Sequence, residues 1–332
     1  LVWGIPMLAD SASLYDPVDR PRVFGIPEMK NPDLRPYRIN MHHIGGRGGA
    51  FPFPLNPRFA DGVETYIYDA DEDCLEQMKT NDGGADHVVG MAVAGTDGSA
   101  RLHVNYDPYT SSLRAANPGC QDFFYEEETC DYVLEDVLKP AKIVEMPALS
   151  LSSLVRRKGF QLDYLSLDVQ GAEYDLLAGA SEETLNDTVA IMCEFSFFQF
   201  YEGQKLFEDL VALLRGKGFF VAQLFPHRHE WSSFRTGIGW RGTGFLAHGD
   251  ALFLRRDRHI VERAGNPFLA LAKLAFISLS RGNLAYALQC LTEAYRRPDA
   301  GVLALAADVP YIGFLDAMYS LYRQETHIFP AR

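Results

Sequence analysis

The sequence predicts an α/β fold: a mostly parallel sheet with helices on both faces, followed by a C-terminal α-helical extension. Three observations predict it. Between residues 39 and 257, short apolar runs alternate with stretches of helical periodicity, the pattern of strand–helix–strand units that build parallel sheets. Residues 162–180, LDYLSLDVQGAEYDLLAGA, read as a strand (Tyr164 to Leu167) that stops on Asp168, a tight Val169-Gln170-Gly171 turn, and a helix with Leu176 and Leu177 on its apolar side. From Asn266 onward the chain becomes rich in alanine and leucine at helical spacing.

Residues 1–40 carry Pro6, Pro17, Pro21, Pro27, Pro32 and Pro36. Proline fixes φ and removes a backbone donor, so this stretch reads as an irregular arm packed over the domain. The next elements are a strand at Val63 to Tyr68, a helix from Glu72 to Lys79, and strands at Val88 to Val93 and Arg101 to Val104. Residues 117–140, with the acidic run Glu126-Glu127-Glu128, read as a solvated loop–helix insert, or more sharply as a lid facing a substrate. A strand at Ile143 to Met146 and a helix around Leu151 to Arg157 lead into the 162–180 segment. Strands at Val189 to Glu194, Phe219 to Leu224 and Ala251 to Leu254 follow, with a helix from Lys205 to Gly216 after the first of them. The last two strands are joined without a helix, so one of them should run antiparallel. The domain division expected is an arm over 1–40, a catalytic domain over 41–258 and a helical extension over 266–330.

Within the extension, residues 272–298 are similar to a tetratricopeptide helical hairpin, with Gly282 at the turn and Ala287, Leu291 and Ala294 at packing positions. One such unit cannot bury its own face. It should dock on the domain, or serve a homodimer or another protein partner. A second helix pair, residues 302–307 and 311–323, would complete the cap.

The formal net charge of −13 argues against a nucleic-acid partner, because phosphate binding is driven by positive charge. Arg255, Arg256 and Arg258 form one short basic cluster, read as a solvated strand end. Cys74, Cys120, Cys130, Cys193 and Cys290 are odd in number and form no C-x-x-C pair. Free thiols in a reducing, cytoplasmic compartment are the expectation. The most apolar run, 268–279, is short and interrupted by Lys273, so no membrane span is expected, and no signal peptide is visible.

His43-Ile44-Gly45-Gly46-Arg47-Gly48-Gly49 is a glycine-rich turn, which lets a ligand approach the backbone. About twenty residues later a strand ends on Asp69, the spacing at which an acid accepts ribose hydroxyls in nucleotide-binding α/β folds. Together they fit an adenosine-containing cofactor, NAD or S-adenosylmethionine. Pro52, Pro54 and Pro57 break the helix that a pyrophosphate would need after the turn, which favours the latter.

Residues 162–180 closely resemble the signature of the FkbM family of S-adenosylmethionine-dependent methyltransferases. The likeness runs from about Ile44 to Arg255 and includes Tyr109-Thr110-Ser111-Ser112-Leu113 and Met146-Pro147-Ala148-Leu149-Ser150-Leu151. It implies a class I, Rossmann-like, seven-stranded sheet and S-adenosyl-L-methionine as cofactor. It also implies that the run from Val88 to Gly95, then Asp97-Gly98, borders the adenine. The cofactor-binding set expected is His43, Gly45, Gly46, Gly48, Asp69, Ala70, Ala92, Val93 and Asp168. His43 stands where such enzymes usually carry an acid.

The reaction implied is methyl transfer to a hydroxyl of a small molecule, natural product or glycan. The expected catalytic residues are Asp168, Glu194, His227 and His229. The acids end adjacent strands, and the histidines are read in a loop beyond the sixth strand, where histidine suits proton transfer near neutral pH. Glu173 is either a first-turn acid complementing the helix dipole or part of the site. No metal is expected: the spacing of His227, His229 and Glu230 is not diagnostic, and Asp168 with Glu194 as magnesium ligands is the minor alternative. Asp107-Pro108-Tyr109 lacks the second proline of the DNA amino-methylating motif it superficially resembles. The rival readings are a catalytically degenerate methyltransferase fold that binds partners through its helical C-terminal part, and an NAD-dependent enzyme.

Overall fold

The structure is a computed structural model that describes residues 32–47, 53–71, 73–76, 85–120, 123–126, 131–231, 244–306 and 308–325. Most of the expected arm, together with Gly48, Gly49 and Cys130, lies outside them. Twelve strands run in chain order: β1 Ile39–Ile44, β2 Val63–Asp69, β3 His87–Gly90, β4 Ala92–Ala94, β5 Gly98–Asn105, β6 Phe123–Glu126, β7 Asp131–Val133, β8 Pro140–Ser150, β9 Tyr164–Leu167, β10 Ala190–Ser196, β11 Phe219–Trp231 and β12 Phe245–Arg255. Seven of them form the main sheet in the order β3-β2-β1-β9-β10-β12-β11. The pairs β2–β3, β1–β2, β1–β9 and β9–β10 are parallel, whereas β12 is antiparallel to both neighbours. The seven-stranded, mostly parallel sheet and its one reversed strand are as expected.

Several elements differ from the sequence reading. The arm ends sooner, because Ile39–Ile44 is the buried central strand β1 and not the tail of an irregular segment. Its two histidines hide the apolar run. The expected strand over Val88 to Val93 is two strands in different sheets, broken at Met91, whose N–H is bound by the Asp69 carbonyl at 2.8 Å. Of the helix expected over Glu72 to Lys79, residues 73–76 are helical and the others lie outside the described residues. The insert is more than a loop–helix segment: β6 and β7 form a hairpin, a short helix over Leu134–Val137 follows it, and β6 pairs with the far end of β11 to widen the sheet. β4, β8 and β5 make a separate three-stranded sheet beside the first.

The helices named here are α1 Leu151–Lys158, α2 Glu173–Gly179, α3 Phe207–Gly216, α4 Asp257–Arg263, α5 Pro267–Ser280, α6 Leu284–Tyr295 and α7 Pro310–Glu325. Caps fix several ends. Ser150 accepts a hydrogen bond from Ser153 N to start α1, and Gly159 stops it at φ +68°. Asn266 accepts from Leu269 N, and Pro267 opens α5.

The two faces of the main sheet are covered by different parts of the chain. α1, α2 and α3 bury one face with Leu151, Leu154, Leu176, Leu177, Leu210 and Leu214. The other face, presented by Ile39, Met41, Tyr164 and Met192, is covered by the C-terminal helices. α5 is apolar nearly all round and lies in the middle of that layer, as such a helix must. The helical extension therefore docks on the domain. A buried ion pair ties it there: Lys273 Nζ lies 2.8 and 2.9 Å from the Asp163 carboxylate, which also accepts from Asn40 N at 2.8 Å. The α5–α6 hairpin turns at Gly282, with φ +79°, and buries Ala287, Leu291 and Ala294 as expected.

Arg255 is not part of a solvated basic patch. It is 2% exposed, its guanidinium donates to the carbonyls of Thr188, Lys217 and Leu185, and it lies over the Phe219 ring. Cys74, Cys120, Cys193 and Cys290 are buried free thiols. Among the described residues, no helix is long and apolar enough to cross a membrane.

Candidate functional site

The sheet order reverses direction between β1 and β9: β2 lies beyond β1, and β10 lies beyond β9. A crevice opens beyond the carboxyl ends of the strands at such a switch point. Two turns form its floor. After β1, Gly45 takes φ +91°, and a Cβ added there would lie 1.6 Å from the Asp168 carbonyl oxygen. Only glycine lets these two turns touch. The N–H groups of Gly45 and Gly46 both donate to the Tyr68 carbonyl at 3.0 Å, and Asp168 N donates to the Ile44 carbonyl at 2.9 Å. After β9, Gly171 takes φ +92° with its α-carbon packed against the Tyr201 ring.

A first cleft opens above these turns. Gly45, Asp69, Ala70, Ala92, Val93 and Asp168 lie in its wall, so six of the nine residues expected to bind cofactor come together. Gly46 is not in that wall. His43 is not either: strand alternation puts it on the face of Ile39 and Met41, buried, with Nδ1 3.1 Å from Ser166 Oγ. Burial pushes its pKa down to about 4, so it is neutral at neutral pH. Asp97 does not border the cleft. It accepts from Ser150 N, Ser150 Oγ and Ser153 Oγ at 2.8, 2.9 and 2.5 Å, and so fixes the start of α1. Those bonds hold its carboxylate down at about 2.

A second cleft adjoins the first and shares Asp168, Gln170 and Tyr109 with it. Its polar wall comprises Glu194, Ser196, Thr110, Tyr201, His229 and His248, and Leu134, Leu138 and Phe200 supply apolar surface. Leu134 and Leu138 come from the segment just after the β6–β7 hairpin. The insert, expected as a solvated loop–helix segment or a substrate-facing lid, thus contributes two side chains to the second cleft.

The acids here are crowded. The Asp168 carboxylate is open to the cleft, but protein encloses it otherwise. That enclosure, then Asp250 and Asp69, push it up to about 6 against the lowering effect of a hydrogen bond from Gln170. Burial, then Asp168, Glu173 and Asp250, push Glu194 well above the usual carboxylate range. Glu173 does not line either cleft. Its Oε1 accepts from Val169 N at 3.0 Å and Gly171 N at 3.3 Å, so it clamps the turn from beneath. Burial, then Asp168, raise it to about 7.

The histidines are placed differently from the sequence reading. His227 and His229 lie within β11, not in a loop beyond it. The Pro226 that suggests a loop is tolerated because β11 is paired with a neighbour on its outer side only at Glu230 and Trp231. His227 is exposed and stacks on His248 at 4.9 Å. His229 is buried, with Nε2 3.0 Å from His248 Nδ1. Burial first, then the neighbouring histidines, lower His229 to about 4 and His248 to about 3.

Two residues of this site were missed in the sequence. His248 enters from β12, next to His227 in register, and nothing local marks it. Gln170 sits at the hinge between the clefts. It is the one non-glycine residue with positive φ among the described residues, at +52°, a conformation that costs on the order of 1 kcal/mol. Its Nε2 donates to Asp168 Oδ1 at 2.7 Å and to Glu194 Oε2 at 3.1 Å. The signal that marks it is its place between the strand-end acid and Gly171.

The matched sequence agrees with this geometry. Residues 62–221 match the family described as Methyltransferase FkbM domain. The chain carries an FkbM methyltransferase domain. The matched segment runs from the start of β2 into β11 and includes the Asp168 turn. S-adenosyl-L-methionine is accordingly its methyl donor. Two acids, Asp69 and Asp168, lie in the wall of the first cleft. Among the described residues, the Gly45 and Gly46 amides are spent on the Tyr68 carbonyl. Arg47, the one cation in the described wall, is paired with Asp71.

Three solved structures have a distant likeness to this chain. Magnesium protoporphyrin IX methyltransferase (ChlM) from Synechocystis PCC 6803 with bound SAM is 14% identical over 66% of this chain and 71% of that one, with a TM-score of 0.29. The same enzyme with bound SAH is 12% identical over 66% and 75%, with a TM-score of 0.30. A TehB-like SAM-dependent methyltransferase from Corynebacterium glutamicum is 14% identical over 66% and 80%, with a TM-score of 0.28. None of the curated proteins matches the chain.

Proposed function

We propose that this methyltransferase is an O-methyltransferase that acts on a hydroxyl of a small molecule or sugar. The observation that carries the reading is the pair of adjoining clefts with Asp168 and Gln170 in their common wall. One cleft is suited to the methyl donor and the other to the acceptor.

When bound, the donor supplies a methyl group on a sulfonium, ready for in-line displacement. The chain's own residues do the remainder. Asp69, at the end of β2, accepts the ribose hydroxyls. Ala70, Ala92 and Val93 offer an apolar wall to the flat base. Gly45 keeps the floor free of side chains. Asp168 faces both clefts and orients the groups that meet there. Glu194 accepts the acceptor's proton, and its raised pKa makes it the stronger base once ionised. His229, neutral and tied to His248, is a second proton acceptor in the same wall. Holding acceptor and donor in line would contribute about 7–11 kcal/mol at best.

The reading of a fold that binds without catalysis draws on His43, a buried neutral group where an acid is usual. Calorimetry separates the alternatives. S-adenosylhomocysteine should bind at micromolar concentration and NAD should not. Absence of S-adenosylhomocysteine binding would remove the catalytic reading. Binding without methyl transfer to any polyol or sugar panel would favour the binding module.

A further inference from the structure

Gln170 has the geometry of a shared donor. A side-chain amide carries two N–H bonds and no more. Here one points at Asp168 Oδ1, 2.7 Å away, and the other at Glu194 Oε2, 3.1 Å away. The amide's orientation is set by the two carboxylates, which when ionised can only accept; its Oε1 lies 2.9 Å from the Tyr201 hydroxyl, whose single proton the Thr110 carbonyl also attracts at 2.7 Å. The backbone is held as well: Ser112 Oγ donates to the Gln170 carbonyl at 2.6 Å, and the residue sits in the left-handed region.

We infer that Gln170 is a positioning residue that holds Asp168 and Glu194 in one fixed geometry and lowers the pH at which the pair takes up protons. This inference rests on the proposed roles of the two acids. Its physical basis is that two carboxylates this close repel, and the pair takes up a proton unless donors stabilise both charges. The other groups facing the pair do not replace the amide. Asp69, Glu173 and Asp250 add negative charge, and the Cys193 thiol and Tyr201 phenol are pushed up and stay neutral. His248, 3.9 Å from Glu194 Oε1, is neutral as well, as is His229 behind it.

The test is a pH titration of the side-chain carboxyl carbons by ¹³C NMR on the full chain, with Asp168→Asn and Glu194→Gln assigning the two signals. Gln170→Leu should move the midpoint of the pair upward by about one pH unit or more. Gln170→Gly is the second variant: it relaxes the left-handed backbone and so should fold, and it should show the same upward shift. Gln170→Glu, which adds a third acid, should shift the midpoint further. Where methyl transfer is measurable, the acid limb of kcat should move with it while KM for the donor changes less than threefold. Unmoved midpoints in folded Gln170→Leu or Gln170→Gly protein would overturn the inference. A failure to bind S-adenosylhomocysteine would instead strike the methyl-transfer reading and leave this titration intact.

Discussion

The two clefts are built from different material. The first cleft, which we propose holds the donor, rests largely on backbone: two glycine turns in contact and carbonyls that consume the nearby amides. The second cleft, which we propose takes the acceptor, is made of side chains from elements far apart in sequence: Thr110, Leu134, Glu194, Phe200, His229 and His248. The first kind of wall tolerates little change and is nearly the same thing as the fold. The second can change residue by residue while the sheet stays intact.

That contrast can be broken or sharpened by four measurements. The largest effect should come from Glu194→Gln in the acceptor cleft. Methyl transfer should fall by about 10²–10⁴, the usual worth of a general base, while donor binding by calorimetry stays within threefold. Gly45→Ala in the donor cleft should act on the fold instead. Its Cβ has no room, so urea unfolding should report a loss on the order of 3 kcal/mol. If Gly45→Ala folds normally and only loses turnover, the contrast is wrong. Asp69→Ala should weaken S-adenosylhomocysteine by about tenfold, roughly 1.4 kcal/mol, with unfolding nearly unchanged.

The smallest effect is a pH dependence of stability. Asp168 has a folded pKa raised to about 6, above its unfolded value. For an acid raised in this way, the native state binds more protons than the unfolded one between about pH 4 and 6. Stability therefore falls as pH rises through that window. Asp168→Asn should flatten that slope and be more stable than the parent at pH 7. The gain should stay below about 1 kcal/mol, because the carboxylate opens to the cleft and is screened by solvent.

The donor side was the more legible of the two. The strand–acid–turn–helix run of 162–180 is local, and so are the glycine turn after Ile44 and the strand ending on Asp69. Six expected cofactor residues meet in one cleft because each lies at or near a strand end, and strand ends in a parallel sheet share one edge. His43 was misplaced for the same kind of reason. Its neighbours in sequence point to the turn, but the period of two sends its side chain through the sheet. In the second cleft, Glu194 was legible as an acid on this strand, although β10 runs two residues past it to Ser196. His229 and His248 were not, because their meeting depends on the antiparallel register of β11 and β12.

By itself the sequence determined the sheet, its reversed strand and the position of Asp168, because these follow from short-range periodicity and turn chemistry. It also determined the family, through a contiguous run of residues. The tertiary structure alone decided what covers the second face of the sheet. Only there do Lys273 and Asp163, 110 residues apart, make a buried ion pair. It also decided the part played by Gln170: the turn bends this residue into the left-handed region, and Glu194, 24 residues on, comes into reach of its amide. Contacts across such separations are set by how the layers pack, which no local pattern records.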